Sequence, residues 1–373
     1  MSVVVSRFFG AKQYEDMKTA VYTALCSCVA ISAMMILAGC CLSDFFLNLL
    51  KTPENIMADA SVYLNIYIYG LFFLFLYNVV TGVFQALGNS RTPLYLLIAS
   101  SVGNIILNLF FVLILDMGVA GLAWATFIAQ GIAAGVAFIL LLRFIRGMNI
   151  TGNVKLFSGS MVQKISIIAI PSICQQSFVS IGNLFVQSVI NRYGSDVMAG
   201  YNAGLRILMF FVMCSFSFGN GLGSFAAQNI GAHRIDRVYE GFRATLKMIY
   251  MFIVPCFLLC FFGADFLAGI FLDASDAAAR ETTVLFLRVA SPGMLVLMLK
   301  FLGDNVLKAA GDMKHFMVTT FSDLLLRAVG AFMLSEWFGS MGIWLAWLIG
   351  WIVGTALSEY YYIKKVWLKT IHG

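Results

Sequence analysis

Ten stretches of this chain are apolar for long enough to cross a bilayer, and no water-soluble fold tolerates that. They cover residues 20–49, 61–87, 92–115, 119–142, 165–191, 197–229, 246–272, 283–308, 316–336 and 341–363. Each reaches the roughly 20 residues that traverse about 30 Å of hydrocarbon. In that solvent every backbone N–H and C=O needs a partner within the segment, so each stretch is expected to be a helix. Of the 373 residues, 61% are hydrophobic and 11% charged. Soluble domains carry roughly 45–50% and 25%. A cytosolic enzyme, a secreted disulfide scaffold and a disordered chain are therefore excluded, and the fold class is all-α integral membrane.

Several chemistries find no support. The net charge of +6 comes from basic residues scattered between apolar segments, so no nucleic-acid partner is expected. All eight cysteines fall inside apolar segments without metal-ligand spacing and are read as reduced, inert thiols. His233, His315 and His372 lie in expected loops. With no Gly-rich phosphate loop either, the chain is read as no enzyme, with no metal and no organic cofactor. Residues 1–18 contain Arg7, Lys12, Glu15, Asp16 and Lys18 and do not read as a signal peptide.

The loops sort by charge. One set, near 7–18, 88–91, 143–164, 230–247, 308–315 and 364–373, carries 17 Lys and Arg. The alternate set, near 44–60, 116–118, 192–196, 265–281 and 336–340, carries three: Lys51, Arg192 and Arg280. Lys and Arg accumulate on the cytoplasmic side. The first set, with both termini and residues 143–164, is expected inside, and residues 273–281 outside.

The chain also repeats itself. Gly10-Ala11-Lys12 resembles Gly231-Ala232-His233 at an offset of 221. Phe84-Gln85-Ala86-Leu87-Gly88-Asn89 resembles Leu307-Lys308-Ala309-Ala310-Gly311-Asp312 at 223, and Leu122-Ala123-Trp124 returns as Leu345-Ala346-Trp347 at 223. Three matches at nearly one offset point to a duplicated bundle, a parallel repeat about an axis along the membrane normal. The repeat places two helices of the first half upstream of residue 7. The expectation is therefore an N-terminally incomplete protein with about ten helices of a twelve-helix, two-lobed (6+6) design. Residues 1–143 form an incomplete N-lobe, 144–164 a cytoplasmic linker and 165–373 the C-lobe.

Here the residues resemble a family. The Gly10-Ala11-Lys12 loop and the run from Phe84 to Pro93 (FQALGNSRTP) resemble the multidrug and toxic compound extrusion (MATE) transporters. So do Asn104-Ile105-Ile106-Leu107-Asn108 and the run from Gly118 to Thr126 (GVAGLAWAT). The stretch from Asn183 to Ala232 is most similar to the prokaryotic branch that includes the DNA-damage-inducible F proteins. The resemblance implies an antiporter, multi-pass in a prokaryotic plasma membrane, working as a monomer by alternating access. It would export amphipathic or cationic organic compounds in exchange for H⁺ or Na⁺. A lipid-linked-precursor flippase of the same superfamily and a non-transporting remnant are the alternatives.

Polar residues inside apolar spans are the candidate sites, because each needs a partner or a cavity. Asn104 and Asn108 share a helix face, and a hairpin turning at 116–118 is expected to bring Asn108 level with Thr126. The resemblance implies a cation site at these three residues, completed by an acid on a helix upstream. An amide at 108 in place of a carboxylate inclines the expectation towards H⁺. Lys300/Asp304 and Asp323/Arg327 are i,i+4 pairs on two arms of another hairpin and sum to zero charge, a charged intramembrane network. Gln175, Gln176, Asn183, Gln187, Asn202, Arg206 and Asn220 are expected to line the substrate cavity. The GxxxG spacings Gly131/Gly135, Gly219/Gly223 and Gly350/Gly354 are read as helix packing.

Overall fold

The structure, a computed structural model, describes residues 1–49, 52–148, 152–273 and 276–372, with side chains described to residue 370. Lys51, Ser275 and part of the expected linker, residues 149–151, lie outside the described residues. Thirteen α-helices are described: α1 Ser2–Gly10, α2 Tyr14–Leu49, α3 Glu54–Ala86, α4 Arg91–Leu109, α5 Gly118–Gly147, α6 Gly159–Ile190, α7 Ser195–Gly231, α8 Ile235–Phe262, α9 Ala264–Phe271, α10 Ala277–Ala309, α11 Met313–Phe338, α12 Ser340–Ile363 and α13 Val366–His372. Among the described residues, ten helices are long and apolar enough to cross a membrane, and no strand is present.

All ten expected spans are present. One differs in kind. The stretch 246–272 is two helices, because α8 ends at Gly263 and α9 starts afresh at Ala264. Arg280 grips Asp265 with Nε and Nη2 at 3.0 and 2.9 Å, which ties α9 to the start of α10.

The chain divides into two compact units, Met1–Ile165 and Ser166–Gly373. In unit 1, α3 packs on α5 and on α2, and α4 packs on α5. The contact face of α5 is built of small residues: Ala125, Ala134 and Ala137 are fully buried. Small side chains let helix backbones approach closely where apolar burial alone gives no advantage over lipid. The backbone amides of Lys155 and Ser158 donate to Thr19 and Thr23 of α2 at 3.3 and 3.2 Å, so the segment before α6 lies against unit 1. In unit 2, α10 is the central helix, packed by α7, α8 and α12, and α11 pairs with α12.

The repeat is visible in backbone detail. After α1, the amides of Ala11, Lys12 and Gln13 bond the carbonyls of Arg7, Phe9 and Phe8. After α7, those of Ala232, His233 and Arg234 bond Gln228, Ile230 and Asn229, the same turn 221 residues on. Lys12 and His233 hold its left-handed position at φ 58° and 55°. The turns after α3 and α10 match likewise, with Gly88 and Gly311 at φ 81° and 69°. Asn89 then accepts the Thr92 amide at 3.1 Å, and Asp312 accepts the His315 amide at 3.3 Å. Side-chain acceptors at these positions satisfy amides that the first helical turn leaves free. His315 therefore belongs to the first turn of α11 and not to a loop, and its Nδ1 lies 2.8 Å from Asp312.

Candidate functional site

The first polar set sits in the α4–α5 hairpin of unit 1. Asn108 Nδ2 donates to Asn104 Oδ1 at 3.1 Å, and Asn104 Nδ2 reaches Thr126 Oγ1 at 3.4 Å. Thr126 itself donates to the Leu122 carbonyl at 3.0 Å. The three residues form one chain of hydrogen bonds. Asn104, not Asn108, faces Thr126. Just beyond them, α4 widens into a π-helical turn over Phe110–Ile114. Asn108 Oδ1 is left buried with no hydrogen-bond partner.

The second set forms a continuous network in unit 2. Lys300 Nζ lies 2.7 Å from Asp304 Oδ2 and 3.9 Å from Asp323 Oδ2. Arg327 Nε lies 3.2 Å from Asp323 Oδ1, an ionic contact without an aligned hydrogen bond. The guanidinium also covers the ring of Trp347 at 4.9 Å. Lys300, Asp304 and Asp323 are 4–6% exposed. Burial on this scale is tolerable only because each charge has an opposite neighbour.

Three contributors went unread in the sequence. Thr319 and Ser358 donate their hydroxyls to Asp304 Oδ1 at 2.8 and 2.9 Å. A β-carbon at Gly354 would lie 2.7 Å from Lys300 Cε, and one at Gly350 would lie 2.8 Å from Asp323 Oδ1. The GxxxG pair is thus the seat of the network. Ser358 continues the same row, and the signal was there as Gly350, Gly354 and Ser358 at successive i,i+4 positions on one face. Glu359 is the third. Its Oε1 is buried without a partner, and a β-carbon at Gly303 would lie 3.1 Å from it.

The third set is dispersed. On α6, Gln175 and Gln187 are half-buried and Gln176 and Asn183 exposed. On α7, Asn202 is half-buried and Arg206 and Asn220 are exposed. Gln187 donates to Asn191 at 2.9 Å. Among the described residues no hydrogen bond links the α6 members to the α7 members.

A family profile described as MatE matches residues 1–110 and 171–333. The chain belongs to the MatE family. Among its relatives is the "Probable multidrug resistance protein YpnP" of Bacillus subtilis, 28% identical over 334 residues, covering 88% of this chain and 74% of that protein. The "Multidrug export protein MepA" of Staphylococcus aureus is 23% identical over 348 residues, covering 92% and 76%. A MATE crystal structure in the bent conformation superposes with a TM-score of 0.91 at 17% identity, over 100% of this chain and 84% of that one. The fold is accordingly that of the twelve-helix, two-lobed MATE transporters, and ten spans lie among the described residues. As a MATE protein it is a multi-pass membrane transporter of the efflux type.

Proposed function

We propose that this chain is a cation-coupled antiporter that exports amphipathic or cationic organic compounds by alternating access. It works as a monomer in a bacterial plasma membrane, with both termini cytoplasmic. The names of YpnP and MepA, multidrug resistance and multidrug export, support the substrate class. The observation that carries the ion site is the buried, unpartnered Oδ1 of Asn108, beside Asn104 and Thr126. A buried acceptor without a donor is expensive to keep, unless a ligand completes it during the cycle.

None of the three side chains titrates, so they act as dipolar oxygen ligands. Na⁺ binds such oxygens directly, whereas H⁺ coupling requires a carboxyl alongside them. The substrate passes along the polar residues of α6 and α7, where Arg206 tunes which charges are accepted.

The test is transport in proteoliposomes with ethidium as the organic cation, driven by a pH gradient or by a Na⁺ gradient at matched pH. One of the two drives export in the parent, and Asn108→Leu and Thr126→Val each lower that export about tenfold, the equivalent of losing about 1.4 kcal/mol. Full export and unchanged ion dependence in both variants remove the site. No export under either gradient removes the antiporter.

A further inference from the structure

The unit 2 network has the parts of an ion site. Two carboxylates, Asp304 and Asp323, face one cation. The Thr319 and Ser358 hydroxyls hold Asp304 Oδ1, which fixes the other oxygen, Oδ2, against Lys300 Nζ. Arg327 holds Asp323 from the far side at 3.2 Å. The anionic oxygens are thus oriented by groups other than the cation between them. Glycine at 354 leaves room for the stem of Lys300.

The duplication shows that the fold does not need these charges. At the offset of 223, the positions of Lys300, Asp304, Asp323 and Arg327 correspond to Tyr77, Thr81, Ser100 and Asn104 of unit 1, all uncharged. Those residues sit in helices joined by the same turn and the same helix cap. A buried charged cluster that the scaffold does not require calls for another explanation.

We propose that the unit 2 interior is a monovalent-cation pocket whose permanent occupant is the ammonium of Lys300. The tethered ammonium stands where a free alkali cation would otherwise bind. The charges fit. Lys300 and Arg327 balance Asp304 and Asp323, and removing Lys300 leaves a deficit of one positive charge. Lys308 on α10 and Glu359 on α12 each interact electrostatically with Asp304 and carry opposite charges, so the deficit persists when both are counted. A hard monovalent cation with oxygen ligands, Na⁺, fills it; a large organic cation does not. Unit 2 therefore carries its own cation through the transport cycle, and ion coupling does not run through it. This does not rest on the site proposed in unit 1.

The test is thermal stability of the purified full chain, with sodium chloride titrated against choline chloride at constant ionic strength. All measurements carry Asn108→Leu, which removes any ion response of unit 1. In that background the chain with Lys300 intact melts at one temperature in both salts. Lys300→Met melts lower in choline and regains several degrees, saturably, in sodium, as expected when a ligand binds only the folded state. Adding Asp304→Asn to Lys300→Met abolishes the sodium response, and Lys300→Arg never shows one. A Lys300→Met chain equally stable in both salts overturns the proposal. So does a saturable sodium response with Lys300 intact that Asp304→Asn removes. A Lys300→Met chain recoverable in neither salt, while Lys300→Met with Asp304→Asn is recovered, also overturns it, because the pocket then takes no free cation.

Discussion

Asp304 receives three side chains: the Lys300 ammonium on Oδ2, and the Thr319 and Ser358 hydroxyls on Oδ1. Removing its charge strands Lys300 beside Asp323 alone, 3.9 Å away. Breaking a buried pair from one side costs about 3–5 kcal/mol, whereas removing both partners leaves nothing uncompensated. Asp304→Asn should therefore melt well below the parent, and Asp304→Asn with Lys300→Met should recover much of the loss. Additive effects in the double-mutant cycle would show that the two do not pair. Ser358→Ala, which removes one donor to a charged acceptor, should cost about 1.5–3 kcal/mol or less. At this scale the sequence showed which charges were paired, because i,i+4 spacing is arithmetic. It did not show Thr319, Ser358 or Glu359. Single hydroxyls inside helices commonly bond their own backbone, as Thr126 and Ser215 do here, and Thr319 does so as well as reaching Asp304; for Ser358 the one mark was its place in the row of Gly350 and Gly354.

Helices were legible because the membrane admits little else. The misreadings all concern what happens inside one. The π-helical turn at Phe110–Ile114 went unread, because no composition rule announces such a turn. Gly263 broke a span that hydropathy counted as whole. The three GxxxG pairs looked alike and are not. Gly219 and Gly223 face Phe301 and Asn305, and Gly350 and Gly354 seat the charged network, but nothing lies within 4 Å of a β-carbon at Gly135. Two substitutions separate these cases. Gly354→Ala should overpack the network and cost about 1–3 kcal/mol. Gly135→Ala should leave the melting temperature unchanged or raise it, since Ala favours helix over Gly by about 0.5–1 kcal/mol. A loss at Gly135 equal to that at Gly354 would mean that both glycines are needed for helix contact.

For the whole molecule, the alternation of Lys and Arg between loops sets an orientation that labelling can check. In a cysteine-free background, Ser195→Cys should react with an impermeant maleimide in intact cells, and Ser90→Cys should react only after permeabilisation. Both residues are exposed, so accessibility differs by side and not by burial. The reverse pattern would invert the molecule. The duplicated design was legible through its turns, because turns need particular residues: a left-handed position at 12, 88, 233 and 311, and a capping acceptor at 89 and 312. At the positions of the charged network the two units have diverged, neutral in one and charged in the other, and there the repeat offered no guide.

The i,i+4 arrangement of the charges also bears on how the chain enters the membrane during synthesis. Helix α10 emerges from the ribosome before α11, and both emerge before α12. If Lys300 on α10 relied on Asp323 on α11, each helix would meet lipid with a naked charge, at about 2.5–3.5 kcal/mol per residue on an insertion scale. Instead Lys300 has Asp304 one turn along the same helix, and Asp323 has Arg327. The network charges of each arm leave the translocon already paired, and the contact between arms forms afterwards. Exchanging Asp304 with Arg327 would keep all four charges in the finished network and still hinder insertion, because α10 would then carry two cations and α11 one uncompensated pair of acids at the moment each partitions into lipid.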